Sequence, residues 1–303
     1  MLEKRFSFSL LFDKLLSDTT RSNVEKAILI IALSSFIIHL IVIYLVKFDF
    51  ITVPYSSELL VNPIAAIYTP FSFILIYEVY LLIYYLPRSI TTYIAKQYEI
   101  ITLIVIRRLF KDLSSLELSS NWFQIKGDLE FTFDLIASLL LFYLIYLFQI
   151  HGKRKFNTLA SLKPNIEKFI NKKKIIAIIL VPLFFIISLY SFADWSIGIL
   201  DPSIDSSGFK NINDLFFDEF FTILIFVDVV LLLLSFFYTD QFHKIIRNSG
   251  FVISTILIRM SFGVNGLMNT ILIVAAVLFG LAILSIHNKY EKNNLMSTNS
   301  QSE

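Results

Sequence analysis

The sequence predicts an all-α polytopic membrane protein of about eight transmembrane helices, built as two parallel four-helix repeats. Three observations carry that expectation. Hydrophobic residues make up 56% of the 303, and mean hydropathy is +0.72. Several uninterrupted apolar runs reach about 20 residues, the length that crosses a bilayer core of about 30 Å as helix. The second half of the chain also resembles the first at a spacing of about 150 residues. A β-barrel would need short alternating strands, and these runs do not alternate.

The repeat is read from matched charges. Phe71 to Leu82 (FSFILIYEVYLL) lies over Phe221 to Leu232 (FTILIFVDVVLL), which puts Glu78 over Asp228. Ile100 to Phe110 lies over Val252 to Phe262, which puts Arg107 over Arg259. Apolar runs align by chance, but acid and arginine recur 29 and 31 residues apart, and such residues are scarce inside membrane segments.

In chain order, residues 1–26 form a charged cytoplasmic interfacial segment. It is no signal peptide, because charges interrupt it and no small-residue cleavage site follows. The first repeat, 27–155, holds segments at Ala27–Val46, Ile64–Leu86, Thr92–Leu113 and Phe131–Ile150, with Pro70 as a kink and Pro87 as a stop. A basic interfacial linker follows at 156–174. The second repeat, 175–287, holds Ile175–Phe192 with a kink at Pro182, then Phe216–Phe237, Lys244–Phe262 and Leu267–Ile286. The polar tail 288–303, rich in Asn and Ser, is expected to be disordered.

Loop charge sets the topology. Five basic residues precede the first segment and eight lie between Lys153 and Lys174, whereas the first and fifth segments are each followed by a loop with one, Lys47 and Lys210. Basic loops stay cytoplasmic, so an even number of crossings separates the two basic stretches. The third segment must then cross despite its charges, and by the same reasoning so must the seventh. Both termini are expected inside, in the cytoplasmic or inner membrane. The alternative is a re-entrant third segment, which inverts the second half.

The candidate pathway residues are Glu78, Asp228, Arg107, Arg259 and Arg108. A charge near mid-bilayer costs a few kcal/mol or more unless it meets a partner or water. Acids at the same place in each repeat are thus expected to face each other and share a proton or cation, or else to bond neighbouring helices. Arg107, Arg108 and Arg259 lie toward the outer helix ends, where they snorkel to headgroups, pair with the acids or line a vestibule. Counting depth from a common level leaves Arg107 and Glu78 about 10 Å apart along the normal, which disfavours a direct pair. Lys96 and Glu99 suggest a local interfacial ion pair, and His39 a hydrogen-bonded structural residue.

The chain has no Cys, so thiolate metal sites and disulfides are excluded. No two of the four histidines have ligand spacing on one helix, so no metal, haem or other cofactor is expected. Filter, nucleophile-elbow and Walker motifs are absent. The expected function is a channel or transporter for a small ion or polar solute. The alternatives are a non-transporting scaffold or sensor subunit and, less favoured, a lipid enzyme. Expected partners are the bilayer, the ion, and a second copy or a membrane protein; the basic linker rests on anionic lipid and binds no nucleic acid.

Single-cysteine labelling of intact cells checks this topology on the Cys-free background. An impermeant thiol reagent should modify Cys placed at Ser120, Ser206 or Asn265 and spare Cys at Ser161. Labelling at 161 with protection at 206 would mean a re-entrant third segment and inverted halves.

Overall fold

In the computed structural model of the chain, the described residues are 10–50, 63–113, 126–153, 164–200, 212–264 and 266–299. They form helices and turns and include no strand. After a short helical stretch at residues 10–16, the α-helices are α1 Asp18–Lys47, α2 Tyr68–Tyr85, α3 Ile90–Leu113, α4 Lys126–Gly152, α5 Pro164–Leu200, α6 Ile212–Phe236, α7 Phe242–Ser261 and α8 Leu267–Asn299. One helix falls on each apolar segment read from the sequence. Four helical stretches are long and apolar enough to cross a membrane: Leu10–Lys47, Gly127–Gly152, Ile166–Tyr190 and Leu267–Asn294. The apolar helices Thr69–Tyr85 and Phe220–Phe236 are shorter. The test positions Ser120, Ser161, Ser206 and Asn265 lie outside the described residues.

Local chemistry explains most boundaries. Ser17 caps α1 by accepting from the Thr20 amide at 3.1 Å, and Asp18 places an acid in the first turn. At its other end, Lys47 lies in the last turn and Asp49 follows in a left-handed conformation, φ 60°. A 3₁₀ turn, Pro63–Ile67, leads into α2. Pro70, expected to kink a helix starting at Ile64, instead sits in the first turn of α2, where a missing N–H costs no intrahelical bond. Pro87 follows the end of α2, and Ser89 caps α3 through the Thr92 amide at 3.2 Å. Pro164 opens α5, so residues 164–174 of the expected linker are helical and continuous with the fifth segment; Pro182 lies inside that helix.

The C-terminal expectation is corrected. Residues 288–299, read as disordered, continue α8. Extending an existing helix needs no new nucleus, unlike starting one, and His287 and Asn288 are buried rather than solvated.

Two compact units divide the chain: residues 1–84, 106–131 and 177–218 form one, and 85–105, 132–176 and 219–303 the other. In the first, α1 and α2 run antiparallel through a tyrosine stripe. Tyr77, Tyr80 and Tyr84 fall on one face of α2. Tyr77 donates to Glu25 (2.7 Å), Tyr80 to the Leu15 carbonyl (2.8 Å), and Tyr84 to Asp18, with Arg21 over the Tyr84 ring. The other face of α1 stays exposed: Ile30, Leu33 and Ile38 are 66%, 61% and 61% accessible, which suits lipid rather than water.

The second unit is built on aromatic packing and close helix approach. Phe148 lies between Tyr98 and Phe251, with ring centroids 5.0 and 5.6 Å away. The Tyr98 hydroxyl bonds Ser254 Oγ at 2.7 Å, and Ser254 donates to the Ala276 carbonyl at 2.6 Å. Glycine makes room for this. A Cβ at Gly280 would lie 1.8 Å from the Tyr98 hydroxyl, and one at Gly250 would lie 2.8 Å from Ile283 Cγ1. Small residues of this kind let membrane helices touch.

Gly280→Ala should lower stability by about 1–3 kcal/mol through overpacking, because the buried Tyr98 ring has no space to retreat. Gly127→Ala, where an added Cβ meets nothing within 4 Å, should be neutral or slightly stabilising. Unfolding of the purified variants in mixed micelles measures both, and equal effects would contradict the packing described.

Candidate functional site

Two of the four buried acids among the described residues are those singled out from the sequence, Glu78 and Asp228, one in each unit. The first is Glu78 on α2. Arg107 Nη2 donates to its Oε2 at 2.8 Å, and both side chains are almost fully buried, at 4% and 7% exposure. Depth counting from a common level disfavours this pair, and the structure makes it. Helical side chains lean toward their own N-terminus. In the connected pair α2 and α3, Glu78 therefore leans away from the intervening turn and Arg107 leans back toward it, so the two converge. Arg107 also packs over Phe71, 5.6 Å from its centroid, and leaves Nε and Nη1 buried without a hydrogen-bond partner. It does not snorkel.

The second site is Asp228 on α6, 3% exposed. Gln97 Nε2 donates to Oδ2 at 3.1 Å, and Thr255 Oγ1 to the same oxygen at 3.3 Å. The Tyr93 hydroxyl faces the carboxylate without completing a well-aligned bond. Lys173 on α5 attracts the carboxylate through space while its Nζ donates to the Arg88 carbonyl at 2.7 Å. Among the described residues no basic group lies within salt-bridge distance of Asp228. A carboxylate held mainly by neutral donors can keep a proton or accept a cation without breaking a strong pair.

The arginines do not behave alike. Arg259, aligned with Arg107, is half-buried and donates to Thr222 Oγ1 at 3.4 Å rather than to Asp228. Arg108, half-buried, follows Arg107 on a different face of α3. Lys96 and Glu99 form the expected local pair at 2.5 Å, and Gln149 donates to the second Glu99 oxygen at 2.6 Å. His39 bonds Thr69 Oγ1 at 2.5 Å, in line with its structural reading.

Sequence reading missed Gln97, Tyr93, Thr255 and Lys173. Lys173 was counted among the linker charges, yet it is 1% exposed. One signal was available: Tyr93 and Gln97 are four residues apart and so share a face of α3. His243, His287 and Glu291 offer ligand atoms that all lie within 4.8 Å of one another, although no two histidines share ligand spacing on one helix. No protein-family model, curated protein or solved structure matches the chain.

A double-mutant cycle on the buried pair tests its weight. Glu78→Gln and Arg107→Gln should each cost about 3–5 kcal/mol, because each strands the other charge. The double variant should cost clearly less than the two together. Simple additivity in mixed-micelle unfolding would show that the pair is energetically idle.

Proposed function

We propose that this chain is a membrane channel or transporter for a small ion or polar solute, with Asp228 as the group that binds the moving proton or cation. The supporting observation is the Asp228 site itself: a buried carboxylate in an apolar helix, contacted by neutral donors from α3 and α7 and lacking a direct counter-ion among the described residues. In hydrocarbon such a group is compensated by a proton, a cation or a nearby charge, and Lys173 provides only a through-space attraction. Glu78, already neutralised by Arg107, has a different part. The unpaired Arg107 N–H groups give that site hydrogen-bonding capacity toward a polar solute or anion. Arg108 and Arg259 line the path near the ends of α3 and α7.

The same reading takes all eight helices as spans, arranged as two parallel repeats in a cytoplasmic membrane with both termini inside. It assigns no catalytic role and no cofactor. The competing reading, a non-transporting scaffold or sensor subunit, draws on the Glu78–Arg107 pair, since a closed ion pair also serves purely to hold helices together.

Flux into liposomes, scanned over protons, sodium, potassium and chloride, decides between them. Asp228→Asn should cut flux at least tenfold or change its pH dependence, with the protein still monodisperse. Glu78→Gln should alter selectivity or rate less strongly. Unchanged flux in the Glu78→Gln/Asp228→Asn double variant, or no flux for any ion in the wild type, would reject transport and favour the scaffold.

A further inference from the structure

We propose that His243, His287 and Glu291 form a binding site for a divalent first-row transition-metal cation of the zinc class. The three residues come from the first turn of α7 and the C-terminal part of α8, within one compact unit. His287 and Glu291 stand one turn apart on the same helix face, with Nε2 and Oε1 separated by 3.5 Å. Zinc–nitrogen and zinc–oxygen bonds are about 2.0–2.2 Å, so two ligands in a tetrahedral shell stand about 3.4 Å apart. That pair already has the required separation. The His243 ring is stacked on that of His287, centroids 5.2 Å apart, and every ligand atom of the trio lies within 4.8 Å of the others. Closure therefore needs His243 to approach by no more than about 1.4 Å.

The His287 ring is 4% exposed, and Nε2, the nitrogen nearest Glu291, is the one that would face the metal, which leaves the ring proton on Nδ1. Two imidazoles and one carboxylate suit zinc and its neighbours and do not suit magnesium or calcium, which take oxygen shells. His243 and Glu291 are only half-buried, so a fourth position stays open to water.

Two cations oppose the metal, Lys244 beside His243 and, in direct contact with His287, Arg247. Arg247 Nη1 lies 3.0 Å from His287 Nε2, and its guanidinium would stand beside the bound cation. Arg247 also holds Asn248 Oδ1 through Nε and Nη2, at 3.2 and 3.0 Å. It therefore keeps a partner when displaced from His287. Arg247 weakens the site without blocking it, and its removal should tighten binding. The bound metal would tie the start of α7 to the part of α8 beyond the apolar run, independently of any transport activity.

The test uses the untagged full chain in detergent. Zinc titration by calorimetry should give one saturable site per chain, and Co²⁺ should give the visible bands of a tetrahedral nitrogen–oxygen shell. Magnesium at the same concentration should give neither. His243→Ala, His287→Ala and the conservative Glu291→Gln should each weaken zinc binding at least tenfold, while Arg247→Gln should strengthen it severalfold. Monodispersity by size exclusion shows that each variant is folded, and the wild-type titration stands even where a histidine variant is not. Absence of saturable zinc binding in the wild type, undiminished binding in folded His243→Ala and Glu291→Gln, or weaker binding in Arg247→Gln would overturn the proposal.

Discussion

Buried charge in a medium without water is the constraint on which this structure depends. An apolar helix is indifferent to its neighbours in lipid, because hydrocarbon tails are as apolar as Leu. A carboxylate is not. Asp228 draws Gln97 and Tyr93 from α3, Thr255 from α7 and the field of Lys173 from α5 onto one point of α6. Any rotation of α3 or α7 by one residue, about 100°, would remove a donor. The acid thus selects the packing faces of those two helices. Lys173 carries the same demand further, since its ammonium donates to the Arg88 carbonyl just before α3.

The two halves answer that demand differently. At matched places in the sequence, Glu78 is closed by an arginine and Asp228 is held chiefly by neutral groups. The aligned arginines diverge in the same way, Arg107 deep against Glu78 and Arg259 half-buried against Thr222. An ion pair of this kind is compensated and hard to titrate; a carboxylate without a contact cation is available to a mobile one. If the halves descend from one unit, the duplication has therefore not produced two equal sites. One acid closes a helix pair through an ion pair, and the other is held chiefly by neutral donors.

Much of this was legible in the sequence, and the limits are physical. Helix positions were readable because each apolar run is long and bounded by Pro, Ser or charge, and each coincides with one helix. Glu78, Arg107 and Asp228 were recognisable as costly wherever they stood. Their partners were not, because partner choice depends on the axial offset of neighbouring helices and on side-chain lean, which a common-level depth count ignores. Lys173 was hidden among its neighbours Lys172 and Lys174, where only the helix phase tells a buried lysine from a solvated one. The tail misled through composition: Asn and Ser suggest disorder, yet the preceding apolar helix supplies the nucleus that a polar segment lacks. His287 and Glu291 stood at ligand spacing, but a search restricted to histidine pairs passes over a carboxylate, and His243 arrives from another helix.

The packing around Tyr98 connects stability to the acid site. Tyr98 stands next to Gln97 on α3, and its hydroxyl is seated where Gly280 leaves no Cβ and Ser254 offers an oxygen. Ser254 precedes Thr255, the other donor to Asp228. The same short stretches of α3 and α7 thus provide both the steric lock and the polar lining. Successive helix residues point about 100° apart, so one residue of each pair can be fixed against α8 while the next is presented to the carboxylate. The steric lock and the polar lining therefore depend on each other: a change at Gly280 or Ser254 that shifts Tyr98 or α7 would also shift Gln97 and Thr255 relative to Asp228.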